Sequence, residues 1–296
     1  MSYLLTALLV LTICAGSFAA GPAAKPLGDY VLDYSSAVDP QLQAGLEKID
    51  GELREKFGMK PGETAVGLFD LNTCRLAMTN PDHETYAASV AKVGILLAYF
   101  QLHPEAATNI DPTVKHELGL MAKASSNEMA SKYSHELTLA AIQKVLDSYH
   151  FYDKDHGGGI WVGKHYGKDS ERHGSPVADN SHAATVRQLL RYYIMLEQGK
   201  LVSPEACKTM KQIFASPDIP FDDIKFVKGL KGRDVTLYRK WGTWENWLHD
   251  TAVITGPGRH YVLVALTEQG KEVKEPKGDE YLEMLAPAVD DLMKTP

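Results

Sequence analysis

Between Leu42 and Phe57, apolar residues recur every three or four positions (Leu42, Leu46, Ile49, Leu53, Phe57), with polar and charged residues between them. That spacing predicts an amphipathic helix, and Asp39-Pro40 supplies a capping carboxylate followed by a proline suited to the first helical position. Two short apolar runs follow, over 64–70 and 75–79, and they predict a hairpin around Leu71-Asn72-Thr73. The unbroken apolar stretch from Val93 to Phe100 predicts a buried helix. Residues 111–150 look helical throughout, with breaks expected near 124–127 and at Ser134-His135. Residues 152–180 are rich in Gly, His and Asp and predict a loop long enough to carry a function. Helical periodicity returns over 182–198 and again after the start signal Ser203-Pro204-Glu205. The last third changes period: 235–241, 248–255 and 261–267 are strand-like. Gly256-Pro257-Gly258-Arg259 turns the last two strands, and a helix over 280–293 closes the chain.

The order is therefore helix, two strands, a block of helices, three strands, helix. If the strands form one sheet, strands from both chain ends must pair, and the helical middle, about 101–215, is an insertion. The fold class this predicts is α+β: an antiparallel sheet built from both chain ends, flanked by helices, with an inserted all-helical region. The apolar run from Leu4 to Ile13 and the small residues after it resemble a secretory signal. We divide the chain accordingly into a signal peptide (1–20), a linker (21–37) and one domain (38–296). The expected location is secreted or periplasmic. The absence of Lys and Arg before the apolar run leaves an uncleaved membrane anchor as the alternative.

The 296-residue chain is 44% hydrophobic, enough for a sizeable core. Its 38 acidic and 31 basic residues give a formal charge of −7 and are scattered, with no basic run that would suit nucleic acid. Once a signal is removed, Cys74 and Cys207 remain, either as one disulfide or as two packed thiols. His83-Glu84, His116-Glu117 and His135-Glu136 lack the second His of a zinc-protease motif, so neither a metal nor another cofactor is expected. His156-Gly157-Gly158-Gly159 has no Gly-x-Ser-x-Gly partner and reads as a flexible loop.

Ser89-Val90-Ala91-Lys92 carries the candidate chemistry. On a helix, Ser89 and Lys92 share one face with Cβ atoms roughly 5–6 Å apart, so the amine can reach the hydroxyl and take its proton. Two further signals follow in order: Ser125-Ser126-Asn127 at a predicted helix start, and Lys240-Trp241-Gly242-Thr243 at the end of a predicted strand.

Together these resemble the S-x-x-K, S-x-N and K-T-G motifs of the penicillin-recognising serine hydrolases, the β-lactamase/transpeptidase-like family. The resemblance runs over about residues 38–294. It implies a serine hydrolase acting through an acyl-enzyme on a small-molecule or peptidoglycan-derived substrate, in the first instance like a class A β-lactamase. The alternative is a D-Ala-D-Ala peptidase, or an esterase, with slow β-lactam turnover. A non-catalytic binding module is a third reading, against which intact Ser89, Lys92, Ser125 and Lys240 stand. The implied roles are Ser89 as nucleophile, Lys92 as base, Ser125 as proton relay, and the backbone N–H groups of Ser89 and Thr243 as oxyanion hole. Lys240, Thr243, Gly242, Trp241 and Asn127 would bind substrate. Lys92 can act as base only if burial and a nearby cation, Lys240, lower its pKa.

Three departures stand out. No Glu-x-x-x-Asn pattern marks a deacylation base between 168 and 180, where Glu171 and Asp169 are the candidates. The interval from Ser89 to Ser125 is short, which implies a trimmed helical region. Trp241 stands where the family carries Thr or Ser, and with Trp244 and Trp247 it is either a substrate wall or ordinary packing.

Overall fold

The computed structural model describes residues 26–168 and 171–294; the expected signal peptide and Asp169 lie outside the described residues. Helix α1 (Pro40–Phe57) begins as expected, with Asp39 Oδ1 accepting the Leu42 N–H at 2.8 Å. Strands β1 (Thr64–Asp70) and β2 (Leu76–Thr79) form the hairpin. Then β3 (Thr85–Tyr86) leads into a 3-10 turn, Ala88–Ala91, and helix α2 (Lys92–Leu102). The middle of the chain holds α3 (Pro112–Ala122), α4 (Asn127–Leu137), α5 (Leu139–Ser148) and four short strands: β4 (Tyr152–Asp153), β5 (Gly158–Gly159), β6 (Trp161–Val162) and β7 (His182–Ala184). Helices α6 (Val186–Glu197), α7 (Pro204–Ala215) and α8 (Lys225–Gly229) follow. The chain closes with β8 (Thr236–Trp244), β9 (Trp247–Gly256), β10 (Arg259–Glu268) and α9 (Gly278–Leu292).

The main sheet is antiparallel in the order β2-β1-β10-β9-β8. Strand β1 pairs with β10 along its whole length, from Thr64 opposite Thr267 to Asp70 opposite Tyr261, so the two ends of the chain meet in one sheet. Successive side chains of a strand point to opposite faces, and both faces are covered here. Val66, Leu68, Ala252, Ile254, Leu263 and Ala265 pack with residues of α1, α8 and α9. Ala65, Phe69, Val253, Val262 and Val264 pack with residues of α2 to α7. This explains why the strands read as nearly continuous apolar runs. Strand β8 is left at the edge, and the 3-10 turn lies against it. A methyl group added at Gly242 would sit 2.8 Å from the Ala87 carbonyl oxygen and 3.1 Å from the Ser89 nitrogen.

Several expectations need correction. The helix break expected at Ser134-His135 falls at Thr138, whose φ of 69° leaves the helical region and whose hydroxyl caps α5 through the Ala141 N–H. Ser134 stays helical, with its hydroxyl donating back to the Ser131 carbonyl. Residues 182–184 are strand: β7 pairs with β3 and β6, and Thr185 caps the helix that follows. Lys240 lies inside β8, which continues to Trp244. The five-residue α8 carries too little periodicity to be read from sequence. Of the two readings left open for Cys74 and Cys207, the structure shows the thiols and not the disulfide.

Candidate active site

Ser89 follows Ala88, whose φ of 46° lies in the left-handed region that a residue with a Cβ rarely adopts. Three contacts hold this turn. The Ala87 N–H donates to the His182 carbonyl (3.0 Å), the Tyr166 hydroxyl to the Ala88 carbonyl (3.1 Å), and His249 Nε2 to the Tyr86 carbonyl (2.8 Å). The tautomer of His249 follows from its surroundings. The Thr267 N–H donates to Nδ1 (3.2 Å) and burial pushes the pKa to about 4, so the ring is neutral and carries its proton on Nε2. Ser89 itself is half-buried.

Lys92, only 1% exposed, points its amine at the α3–α4 connection: Nζ donates to the Ser125 carbonyl (2.6 Å) and Asn127 Oδ1 (2.7 Å), with Ser125 Oγ at 3.4 Å. The expected contact between Lys92 and the Ser89 hydroxyl is not made among the described residues. Ser89 lies in the 3-10 turn and Lys92 opens the α-helix, and the acceptors at Ser125 and Asn127 hold the amine. Burial pushes Lys92 down to about 7, which brings its neutral form within reach near neutral pH. The expected influence of one lysine on the other falls on Lys240. Burial first, and the Lys92 charge second, hold Lys240 well below the ordinary lysine range.

Ser125 joins the two lysines. It occupies the break between α3 and α4 with φ 61°, Ser126 behind it caps α4 through the Met129 N–H, and its Oγ accepts from Lys240 Nζ at 2.8 Å. The structure thus brings Lys92, Ser125, Asn127 and Lys240 into one connected chain, with Gly242 against the Ser89 turn. Trp241 is half-buried, with its ring 5.2 Å from both Lys240 Nζ and Lys225 Nζ. Trp244, 56% exposed, stands at the hairpin tip, while Trp247 packs edge-on against Tyr86. The three tryptophans do not form one wall. Glu171 is exposed and paired with His173, and no contact joins it to Ser89, Lys92, Ser125 or Lys240 among the described residues.

Two residues at the site left no mark in the sequence. The Tyr166 ring covers Lys92, with Nζ 4.6 Å from its centroid. Lys225 lies under β8: its side chain is 0% exposed, and Nζ donates to the Gly242 carbonyl (2.6 Å), Thr243 Oγ1 (2.6 Å) and the His249 carbonyl (3.2 Å). Asp279 Oδ1 of α9 is 3.6 Å away, and burial pushes the lysine down to about 8.

An antiparallel sheet made from both chain ends and covered by helices on each face, with the Ser89 turn set against its edge strand, is the β-lactamase/transpeptidase-like architecture. The chain belongs to the beta-lactamase enzyme family, whose model matches residues 107–292, a segment that includes Ser125, Asn127, Lys240 and Thr243 and begins after Ser89 and Lys92. Among solved structures, the fold is similar to a beta-lactamase from Sphaerobacter thermophilus (TM-score 0.65, 14% identity, 85% of this chain and 97% of that one). It is similar to PBP-A (TM-score 0.64, 15% identity, 84% and 97%). A class A beta-lactamase from Mycobacterium abscessus also shares it (TM-score 0.64, 16% identity, 84% and 100%). Among curated proteins, no sequence matches the chain.

Proposed function

We propose that the protein is a serine hydrolase that forms an acyl-enzyme at Ser89 with β-lactams or related amides and esters. The observation that carries this is the buried Lys92–Ser125–Lys240 chain beside the Ser89 turn, in which burial lowers the pKa of the Lys92 amine toward neutrality. In the step proposed, Ser89 Oγ attacks the carbonyl carbon while its proton passes to neutral Lys92. The oxyanion develops against the N–H groups of Ser89 and Thr243. Ser125, held by Lys240, then delivers its hydroxyl proton to the leaving nitrogen or oxygen as that bond breaks and takes in exchange the proton now on Lys92, whose Nζ lies 3.4 Å from Ser125 Oγ, so that Lys92 returns to its neutral form. Lys240 and Thr243 would hold an anionic group of the substrate. The apolar segment 4–13 supports an exported enzyme.

Slow release is the form of this reading we favour, because no carboxylate of the described residues touches Lys92 or Ser125, and the side chain lying over the Lys92 amine is the Tyr166 ring. Intact-protein mass spectrometry during incubation with benzylpenicillin tests both parts. We expect one penicilloyl group per chain, persisting after free drug is removed. A transient adduct with rapid nitrocefin turnover would assign the β-lactamase form, and no adduct with either compound would overturn the proposal.

Gly242→Ala tests the closeness of β8 to the nucleophile. The new methyl would meet the Ala87 carbonyl oxygen at 2.8 Å and the nitrogens of Ser89 and Val90 at 3.1 Å, all of them backbone atoms that move only with the turn. Relieving these contacts takes shifts of a few tenths of an ångström, less than the separation of about 1 Å that costs on the order of 100-fold in rate. The expected result is therefore an acylation rate about 10-fold lower, measured with a fluorescent penicillin. A rate within a factor of three of the parent would mean that the strand and the turn do not act together.

A further inference from the structure

Lys225 is a buried cation that the acylation chemistry above does not use. We propose that it is a positioning residue for the oxyanion hole: held against the Gly242 carbonyl, its ammonium orients and polarises the Gly242–Thr243 peptide so that the Thr243 N–H is presented to the oxyanion formed at Ser89. This role rests on the acyl-enzyme reading of the same site.

The geometry of a peptide unit carries the argument. The described chain has no cis peptide bond, so the carbonyl and N–H of each peptide point in opposite directions. The Gly242 carbonyl is turned onto Lys225 at 2.6 Å, and the Thr243 N–H therefore leaves the same peptide on the far side. The same ammonium bonds the carbonyl of His249, the residue that faces Gly242 across the β8–β9 ladder, and the Thr243 hydroxyl. One cation thus fastens both strands of the hairpin at the register position next to the nucleophile. Hydrogen bonds in series polarise one another, and an amide whose oxygen is bound to an ammonium is a stronger donor at its nitrogen.

The framework around Lys225 holds it in that place. Lys225 has φ 52° at the start of α8, an unfavourable conformation that its surroundings enforce. The next residue, Phe226, donates its N–H to Asp250 Oδ2 (3.1 Å). Asp250 is paired with Arg239 (2.9 Å), and Arg239 donates in turn to the Ile224 carbonyl (3.0 Å). Arg239 and Asp250 are both fully buried in β8 and β9. The turn bearing Lys225 is thereby tied to the strands it serves from both sides of the lysine. Stability alone does not call for such a cation, because well-packed apolar residues replace buried ionic groups at little or no loss.

The test compares the full chain with Lys225→Met, which keeps the length of the side chain without its charge, and with Lys225→Arg, which restores a cation. Stopped-flow acylation by a fluorescent penicillin separates the pre-acylation dissociation constant from the acylation rate constant, and thermal melts confirm folding. We expect Lys225→Met to lower the rate constant about 10- to 100-fold, somewhat less than loss of an oxyanion-hole donor itself. The dissociation constant should stay within about threefold, and Lys225→Arg should recover most of the rate. The Thr243 amide proton resonance, read by NMR without any substrate, should move upfield in Lys225→Met.

An unchanged rate constant in folded Lys225→Met, or an unmoved Thr243 resonance, overturns the proposal. A loss confined to the dissociation constant also overturns it, by making Lys225 a substrate contact. If the parent chain itself is never acylated, the acyl-enzyme reading fails along with this role, whereas an acylated parent with a normal Lys225→Met rate defeats this role alone.

Discussion

Ser89→Ala is expected to abolish covalent labelling by penicillins while leaving the protein folded. Three features make this the largest single effect on activity. Ser89 Oγ is the hydroxyl carried by the turn packed against Gly242, where the edge strand meets the start of α2. Lys92 and Ser125, which would move the protons, bond to Asn127 and Lys240 and not to Ser89, so they keep their arrangement when the hydroxyl is removed. The serine is half-buried and its hydroxyl anchors no other group among the described residues, so the change in stability should lie within about 0.5 kcal/mol. Loss of a serine nucleophile from a complete constellation lowers turnover on the order of a million-fold. Intact mass spectrometry of Ser89→Ala with benzylpenicillin should therefore show no adduct under conditions that label the parent fully. Labelling of the variant at the parental rate would remove Ser89 from the mechanism, and peptide mapping of that adduct would name its replacement.

The parts of this site that were legible in the sequence are those written in side-chain type and order. Ser89, Lys92, Ser125, Asn127 and Lys240 fall in three short motifs, and the structure connects the last four of them by hydrogen bonds. Helix α1 was legible because Asp39-Pro40 and a four-residue apolar period act locally. The antiparallel sheet was legible because β1, β9 and β10 are apolar on both faces and have no alternative place to be buried.

What stayed hidden depends on contacts between distant segments or on backbone groups. Lys225 bonds the carbonyls of Gly242 and His249, which have no side-chain signature, so a lysine in a short charged segment gave no sign of burial. Tyr166 belongs to a loop whose course over Lys92 no periodicity encodes. Glu171 has the composition of a base, but its partner is the neighbouring His173. The break at Thr138 comes from one residue at φ 69°, while Ser134, which looks like a breaker, stays inside the helix with its hydroxyl bonded to the Ser131 carbonyl.

Lys92→Met should abolish acylation and, at neutral pH, stabilise the protein. The sign follows from linkage. Lys92 titrates at about 7 in the folded chain and at 10.5 when exposed, so between those values the unfolded state binds more protons and the stability of the parent rises with pH. Below about pH 7 the burden of holding Lys92 buried is at its fullest, about 5 kcal/mol for a displacement of this size. Against this stands the loss of the bonds to the Ser125 carbonyl and Asn127 Oδ1, worth about 3 kcal/mol together when both acceptors are left unsatisfied. At pH 7, where the folded amine is partly neutral, the pKa effect wins by about 1 kcal/mol, which for a chain of this size raises the melting temperature by roughly 2 °C. As pH rises toward 10.5 the advantage should shrink and then reverse, because the parent no longer has a charge to suppress while the variant still lacks the hydrogen bonds. Melting curves of parent and variant from pH 6 to 10 read this directly. The parent's acylation rate should meanwhile climb with a midpoint near pH 7, where the neutral amine appears. A variant less stable than the parent at pH 7 would mean that the lost hydrogen bonds outweigh the burial of the amine, and a parent rate flat between pH 5.5 and 8.5 would mean that Lys92 is not the group that takes the proton from Ser89.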